Sequence, residues 1–221
     1  MAADVDSVNS RAKRPYHHGR LREALLEGAL ALAQEGGPAA VGVREVARRA
    51  GVSPTAAYRH FSSREDLVTA VRDEAMLQLA ARMRAEAAEG ERSAAGALRA
   101  TGAAYVQFAL DEPGLFRAAF TPCPTPPGGT EEDDPYALLG AALDGLVDEG
   151  RLTAEGRTGA EQVAWACVHG VAQLVLEGQL PDEVEQAVRE RRPGSLLDRV
   201  LDVIREGLVA SSPTATASSS T

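Results

Sequence analysis

Residues 43–67 constrain the fold more strongly than any other stretch of the chain. Their sequence is VREVARRAGVSPTAAYRHFSSREDL, in which two short helical patterns flank a turn. Gly51 adopts the unusual backbone angles of a tight turn at little cost. Ser53 followed by Pro54 is typical of a helix start, because serine caps the N–H groups and proline is tolerated at the first helical position. We therefore predict two short helices joined by a tight turn, the helix-turn-helix arrangement.

The second of these helices, from Pro54 to about Phe61, has small side chains on its outward face. Such a helix can approach the base edges of a DNA major groove, where the methyl groups of Thr55 and Ala56 can meet a thymine methyl. Hydroxyl, imidazole and guanidinium groups around it are suited to phosphate oxygens. The residues predicted to contact DNA are Arg44, Ser53, Thr55, Ala56, Tyr58, His60 and Arg64.

Charge is distributed unevenly along the chain. The formal net charge is −9, which by itself argues against a nucleic-acid partner. Residues 1–62, however, hold nine Lys/Arg against six Asp/Glu, whereas residues 63–221 hold fourteen against twenty-six. A basic head on an acidic body is typical of a protein that touches phosphate with one end only. The alternative explanation is chance combined with an unstructured basic arm.

Apolar residues repeat at helical spacing through most of the chain, and no strand pattern is present. We predict an all-α protein with an N-terminal three-helix helix-turn-helix domain and a C-terminal helical effector and dimerisation domain. One helix, over residues 158–177, is apolar on nearly all sides, and residues 121–134 are predicted to form a loop. The predicted boundaries are 1–15 for a disordered basic arm, 16–62 for the DNA-binding head, 63–210 for the body and 211–221 for a disordered tail.

The segment AGVSPTAAYRHFSSREDL closely resembles the N-terminal domain of the TetR family of repressors, and the resemblance covers about residues 16–68. In that family AG-V-S, then Y-x-H-F, then S-K-E-x-L mark the recognition helix and the start of the fourth helix. Two positions depart from the pattern. Arg64 replaces the usual lysine, which keeps the charge but changes the geometry of phosphate contact, and Gly42 replaces the usual Ser/Thr cap. Neither departure changes the family that the segment resembles.

The body resembles the C-terminal domain of TetR-type regulators that are named for a Trp-His-Gly motif. The segments that carry this resemblance are WACVHG at 165–170 and YVQFALDEPGLFRAAF at 105–120. The resemblance implies an all-α effector domain whose last two long helices pair with those of a second subunit. An amphipathic stripe on the last helix is therefore predicted to form the homodimer interface, through Leu197, Val200, Leu201, Ile204 and Leu208.

Three polar or aromatic residues, Trp165, His169 and Gln173, follow at intervals of four and so project from one side of one helix. Apolar walls with a few hydrogen-bonding groups are typical of ligand pockets, and we expect an apolar guest that is neutral or weakly acidic. The alternative is that these side chains only pack the core. The predicted ligand-binding residues are Tyr105, Phe108, Phe116, Phe120, Trp165, His169 and Gln173.

Several other classes of protein are not predicted. No P-loop, dinucleotide-binding turn, zinc-protease motif or nucleophile elbow is present, so we predict neither an enzyme nor a cofactor. His17 and His18 have no acidic or cysteine partners at ligand spacing, so no metal site is expected. The chain has no secretory signal and no apolar run long enough for a membrane span, which favours a cytoplasmic protein with reduced cysteines.

The function predicted from the sequence is therefore a sequence-specific DNA-binding transcriptional regulator. Its predicted partners are double-stranded DNA with a near-palindromic operator, a second copy of itself, and an unknown small-molecule inducer that releases a repressor from DNA. The alternative is a helical protein-binding regulator that has the same DNA-binding head but no small-molecule inducer.

Overall fold

The computed structural model describes residues 18–123, 130 and 133–210, and this part of the chain consists of helices joined by turns and loops. No strand occurs among these residues, which confirms the all-α prediction. The predicted arm and tail lie outside the described residues. A short 3-10 helix, Pro38–Ala40, joins the first two helices. The α-helices are α1 (His18–Gly36), α2 (Val43–Arg49), α3 (Pro54–Tyr58), α4 (Arg64–Glu89), α5 (Ala94–Asp111), α6 (Pro113–Ala119), α7 (Pro135–Asp148), α8 (Ala154–Arg157), α9 (Ala160–Leu176), α10 (Asp182–Arg189) and α11 (Leu196–Ala210).

Serine caps define the helix starts of the head. The Oγ of Ser53 accepts a hydrogen bond from the Ala56 N–H at 3.2 Å, at the start of α3. The Oγ of Ser63 accepts one from the Asp66 N–H at 3.0 Å, at the start of α4. Between α2 and α3, Gly51 has a φ of 67°, which is a backbone conformation that favours glycine. The local sequence signals therefore place the turn and the start of α3 correctly.

The third helix is shorter than the sequence predicts, because α3 ends at Tyr58 rather than at Phe61. The chain turns after Tyr58 and buries the Phe61 ring in the core of the head. On the inner side of α3, Ala57 is buried against the same core, to which Val46 of α2 and Leu25 of α1 also belong. Burial of the Phe61 ring therefore takes precedence over continuing the helix.

The head meets the body where the first residues of α6 lie against the last turn of α1. The contact is made at the level of the backbone, since a Cβ atom on Gly114 would lie only 2.0 Å from the carbonyl oxygen of Ala33. Beside it, the amide of Gln34 donates a hydrogen bond to the carboxylate of Glu112 at 3.0 Å. We call this contact the α1–α6 joint.

The apolar segment predicted over residues 158–177 forms one helix, α9, over Ala160–Leu176. A short helix, α8, ends at Arg157, and α9 begins only at Ala160. Gly159 separates them, with a φ of 78° that a continuous right-handed helix does not allow. One face of α9 is buried against α5, α7 and α11, which form the body together with α4.

The predicted dimer stripe on α11 requires correction. Leu197, Leu201, Ile204 and Leu208 are only 5% to 8% exposed within the single subunit, because they pack against α5 and α9. A Cβ atom on Gly102 of α5 would lie 2.5 Å from the Cδ2 of Leu201, which shows how closely the two helices approach. These four leucine and isoleucine side chains therefore belong to the subunit's own core. Of the five predicted residues, only Val200 is half-buried.

A second apolar stripe on α11 lies beside the buried one and faces outward. Val203 is 67% exposed, and Leu196 and Val200 precede it on the same side of the helix. Helix α9 carries a similar outward stripe that contains Val163, Ala166, Gly170 and Leu174, none of which is buried. We call these two sets of residues the outer stripes of α9 and α11.

Two further observations concern the described residues alone. None of their helices combines the length and apolar character that a bilayer crossing requires. They also contain no group of three or more His, Cys, Asp and Glu side chains that could hold a metal ion. The side chains of His17 and His18, which were considered as metal ligands, lie outside the description. Cys123 and Cys167 are not joined by a disulfide.

Candidate nucleic-acid interface and effector cavity

The outward side of α3 presents the side chains that the sequence assigned to base contacts. Thr55 is exposed, and Ala56 beside it is half-buried. Tyr58, at the end of the helix, is 44% exposed. His60 is half-buried in the turn that follows. The helix thus offers a small, uncharged surface with a phenol at one end.

Arg64 has a structural role that the sequence analysis did not identify. Its Nε donates a hydrogen bond to the carbonyl oxygen of Val41 at 2.9 Å, and one terminal nitrogen donates to the carbonyl oxygen of Pro38 at 2.8 Å. The side chain therefore ties the start of α4 to the loop that precedes α2. Two of its five N–H groups are engaged in this way, and the remaining donors stay available for a phosphate.

The basic side chains of the head differ in how far they are neutralised. Arg48 and Arg49 form ion pairs with Glu45, and Arg49 also pairs with Glu35 at 2.6 Å. The hydrogen bond from Arg48 is the main reason that the pKa of Glu45 falls to about 2. Arg44, by contrast, is exposed and forms no ion pair within the described part of the chain.

Arg59 is also exposed and without an ion pair among those residues, directly after α3. Arg59 is not among the DNA contacts predicted from the sequence. Its position one residue beyond Tyr58, on the element that was assigned to the major groove, was the signal that could have identified it.

The body contains a partly open cavity of about 370 Å³, within the usual range for small-molecule sites. It lies among α4, α5, α7, α9 and α11, and its wall is mainly apolar. One part is aromatic, and the rest is aliphatic or sulfur-containing. The main lining residues are Met76 and Met83 of α4, Leu98 of α5, Phe120 at the end of α6, Tyr136 and Leu139 of α7, Trp165 and Val168 of α9, and Leu201 and Ile204 of α11.

A chain of hydrogen bonds runs behind the aromatic part of this wall. The indole Nε1 of Trp165 donates to the hydroxyl oxygen of Tyr105 at 3.2 Å, and this hydroxyl lies 2.7 Å from Nδ1 of His169. The side-chain amide of Gln173 lies 3.3 Å from Nε2 of the same ring. A neutral His169 ring has one protonated nitrogen, so either Tyr105 donates to Nδ1, or Gln173 donates to Nε2 and Nδ1–H donates to the Tyr105 hydroxyl. We call these four residues the polar relay.

Burial acts on both titratable members of the relay. It raises the pKa of Tyr105, although the hydrogen bond from Trp165 opposes the shift, and it lowers the pKa of His169. Both shifts have the same cause, since a charged form is poorly solvated in the protein interior. The neutral state of the relay is therefore the favoured one.

The cavity includes only three of the seven predicted ligand-binding residues, namely Tyr105, Phe120 and Trp165. Phe108 and Phe116 are core residues, 3% and 0% exposed, so their prediction as pocket residues is corrected. His169 and Gln173 are not lining residues either, although the His169 ring contacts the lining residues Tyr105, Phe120 and Trp165. The four-residue spacing placed the polar side chains on one side of α9, but it could not determine which neighbours separate them from the cavity.

Two arginines line the cavity that the sequence analysis did not consider. Arg99 of α5 donates to Asp198 and, at 3.0 Å, to Asp202 of α11. Arg205 lies 3.6 Å from Asp202. These partners lie about a hundred positions from Arg99 in the chain, so no local pattern revealed the cluster.

Comparison with protein families agrees with this division into head and body. Residues 25–71 match the model of bacterial regulatory proteins of the tetR family. Residues 98–204 match the model of a tetracyclin repressor-like C-terminal domain. Together the two matches cover most of the chain. The protein belongs to the TetR family.

Solved structures resemble this TetR-family protein over almost their whole length. A protein of unknown function from Rhodococcus sp. RHA1 is 27% identical, with a TM-score of 0.68, and the match covers 90% of this chain and 98% of that one. A TetR family transcription regulator from Marinobacter aquaeolei VT8 is 20% identical, with a TM-score of 0.56 and coverages of 84% and 93%. A TetR from Streptomyces coelicolor is 19% identical, with a TM-score of 0.55 and coverages of 86% and 97%. The last two matches concern the fold alone.

Membership of the TetR family establishes the general role of the chain. It is a transcription regulator with a helix-turn-helix DNA-binding domain. TetR-family regulators are generally non-enzymatic, and they bind DNA and function as dimers with small-molecule ligands. The prediction of a TetR-type regulator is thus confirmed, and the C-terminal match includes the WACVHG segment that suggested the body type.

Proposed function

We propose that this TetR-family regulator is a homodimeric repressor that binds a near-palindromic operator and is released by a small molecule held in the cavity. The observation that carries the proposal is the course of α4. This single helix of 26 residues begins at Arg64 beside α3 and presents Met76 and Met83 to the cavity. A helix of that length extends about 39 Å, so it connects the head rigidly to the cavity.

Release from DNA follows as a shift of population between two arrangements of the body. A guest that moves Met76 and Met83 also moves the start of α4, which Arg64 ties to the loop before α2. In a dimer the two α3 helices have to reach successive major grooves, about 34–36 Å apart. A guest that binds better when the heads are at another spacing therefore lowers the affinity for operator DNA.

The second subunit is proposed to pack against the outer stripes of α9 and α11. Four of the six most exposed large apolar side chains in the described part of the chain lie on these two helices, Val163, Trp165, Leu174 and Val203. Except for Trp165, which lines the cavity, they belong to the outer stripes. Covering them in a dimer removes apolar surface from water.

The DNA contacts remain proposals of the same kind. Thr55 and Ala56 are proposed to meet base edges, and Ser53, Tyr58, His60, Arg44 and Arg64 to meet phosphates. Exposure of Thr55 and Tyr58, and the absence of an ion pair at Arg44 within the described residues, support this division. A protein that binds operator DNA acts where the DNA is, and we propose the cytoplasm as its location.

The operator is tested by sequencing the genomic DNA fragments that the purified protein retains. We expect enrichment of one near-palindrome whose half-sites are centred about one helical turn apart. Thr55→Ala is expected to change which bases are preferred, because Thr55 is assigned to a base edge. An equal loss of affinity for all sequences would instead identify Thr55 as a backbone contact.

The proposal that a small molecule releases the operator is tested by adding fractions of pooled small metabolites to the protein and the same operator. We expect one fraction to raise the melting temperature of the protein, because a ligand that binds only the folded state stabilises it. The same fraction is expected to release the operator. If every fraction leaves both measurements unchanged, the result favours the alternative of a protein-binding regulator without a small-molecule inducer.

A further inference from the structure

We infer that the cavity selects uncharged, apolar guests, because the charged groups in its wall are already paired with other groups of the protein. The inference rests on the proposed function, since it takes the cavity as the ligand site, and it adds the chemical class of the guest. The sequence led us to expect a neutral or weakly acidic guest that forms hydrogen bonds with the wall. The inference excludes the ionised, acidic guests from that range.

The guanidinium groups at the cavity are directed to carboxylates that are not part of its lining. Arg99 holds Asp198 and Asp202, and Arg205 lies 3.6 Å from Asp202 and 3.3 Å from Glu206. None of these three acids lines the cavity. The arginines therefore offer the guest mainly their aliphatic stems, with the charged ends turned toward partly exposed acids.

A charged guest would find no unpaired partner of opposite sign in this cluster. The two guanidinium groups face three carboxylates, so the cluster carries a formal charge of about −1. An anionic guest has to compete with Asp202 for Arg99, and a cationic guest has to compete with Arg99 for Asp202. Each guest gives up its own hydration on entering. An anion meets guanidinium groups that carboxylates already hold, and a cation meets no carboxylate of this cluster in the cavity lining.

The uncharged polar groups of the wall are likewise engaged. The Tyr105 hydroxyl lies between Trp165 and His169 in the polar relay. The hydroxyl of Thr101 donates to the carbonyl oxygen of Leu98 at 2.9 Å. Asp134, the acid of the lining, is charged and forms no ion pair within the described part of the chain, but it accepts the N–H of Tyr136 at 2.9 Å and so caps α7. The wall therefore has little polar capacity to offer a guest, which fits a molecule bound through its apolar surface.

The test uses two sets of probes that differ only in charge. N-phenylnaphthylamine is a neutral fluorophore, and anilinonaphthalenesulfonate is the same scaffold with a sulfonate. Octanol, octanoate and octylammonium share one chain. Trp165 is the only tryptophan of the chain and lines the cavity, so energy transfer from it to a fluorophore reports that the cavity is occupied.

We expect N-phenylnaphthylamine to bind, and octanol to displace it at a concentration about tenfold lower than octanoate or octylammonium, equivalent to about 1.4 kcal/mol. The sulfonated fluorophore is expected to bind correspondingly more weakly. Equal displacement by either charged octyl compound would overturn the inference, and so would a failure of the neutral fluorophore to bind.

Two variants test whether the probes bind in the cavity and whether the charged cluster causes the selectivity. Ala95→Phe fills the lining beside Leu98, and we expect it to weaken binding of the neutral fluorophore. Asp202→Asn removes a carboxylate shared by Arg99 and Arg205, so octanoate is expected to gain several-fold in affinity while octanol is unchanged. No gain for octanoate in Asp202→Asn would contradict the account of the charged cluster.

Operator release is measured in the same titrations and separates this inference from the proposed function. Neutral probes that bind without releasing operator DNA would contradict ligand-linked release and leave the charge selectivity intact. Charged probes that bind as tightly as neutral ones and release the operator would contradict the charge selectivity alone.

Discussion

Arg44 and Arg64 carry the same charge in the head but have different surroundings. Arg44 projects from α2 into solvent, and its exposed side chain has no ion pair among the described residues. Arg64 donates to the carbonyl oxygens of Val41 and Pro38, and therefore holds the loop before α2 in place. Loss of Arg44 removes only a contact that DNA would make, whereas loss of Arg64 also leaves two carbonyl groups without their donor.

The first prediction separates these roles by substitution with alanine. Arg44→Ala is expected to weaken operator binding and to leave the free energy of unfolding unchanged. The slope of log affinity against log salt concentration is expected to become shallower by about one unit. Arg64→Ala is expected to lower the free energy of unfolding by about 1–2 kcal/mol as well. Affinity at several salt concentrations and urea titrations measure these effects. Arg117→Ala, an exposed arginine of α6, is the control. If that slope is unchanged in Arg44→Ala, Arg44 does not contact a phosphate.

The polar relay leads to a prediction about pH. Burial lowers the pKa of His169 below its ordinary value of about 6.5. Between the lowered value and the ordinary one, the unfolded chain binds a proton that the folded chain does not, so acidification through this window favours unfolding. Above the window the imidazole is neutral in both states, and its contribution to stability is fully present.

We therefore expect the melting temperature of the wild-type protein to fall more steeply between about pH 7.5 and pH 5 than that of His169→Gln. Glutamine keeps a hydrogen-bonding side chain of similar size but does not titrate. The difference between the two proteins isolates His169, because every other titratable group is common to both. Parallel curves would show that His169 stays solvated in the folded state.

At the scale of elements, the α1–α6 joint depends on the absence of one side chain. A Cβ atom at Gly114 would overlap the Ala33 carbonyl oxygen at 2.0 Å and would lie 2.8 Å from the Cα of Gln34. These are backbone atoms of α1, so they cannot move aside as the end of a flexible side chain can. The orientation of α1, and with it the head, is therefore set by how closely α6 approaches.

Gly114→Ala is expected to force α1 and α6 apart, to cost about 1–3 kcal/mol of unfolding free energy, and to weaken operator binding. The control is Gly28→Ala in the middle of α1, where the new methyl group meets only Val46 at an ordinary 3.7 Å. That variant is expected to gain up to about 1 kcal/mol from helix propensity. Urea titration and operator affinity test both. Normal stability and affinity in Gly114→Ala would mean that the joint relaxes without consequence.

At the scale of the whole molecule, assembly depends on which side of α11 faces a partner. Leu201 lies in the subunit's own core against Gly102, whereas Val203, two positions later, is 67% exposed on the outer stripe. A charge at the two positions should thus have different consequences. At position 201 it would enter an apolar core, and at position 203 it would enter only the proposed contact between subunits.

Val203→Glu is accordingly expected to produce a monomer with unchanged helical content. Leu201→Glu is expected to lose several kcal/mol of stability and to unfold or aggregate. Sedimentation equilibrium and circular dichroism measure the two outcomes. A Val203→Glu protein that remains a dimer would move the interface away from the outer stripe of α11.

The features that the sequence alone determined depend on residues within a few positions of one another. The cap at Ser53, the turn at Gly51, and the alignment of Trp165 with His169 on one side of α9 are of this kind. Capping and turn geometry act between residues at most four apart, and helical periodicity places side chains without reference to the rest of the fold. The DNA-binding head, built from such signals, was for that reason predictable.

Only the tertiary structure decided which of two apolar stripes on α11 is buried. Leu201 and Val203 are similar in hydrophobicity, and the sequence analysis assigned Leu201 to the partner. The choice depends on Gly102, about a hundred positions away, whose missing side chain lets α5 approach Leu201. The pairing of Arg99 with Asp198 and Asp202 is equally distant in the chain. Packing and ion pairing between remote segments depend on how whole helices are arranged, and no local pattern in the sequence records that arrangement.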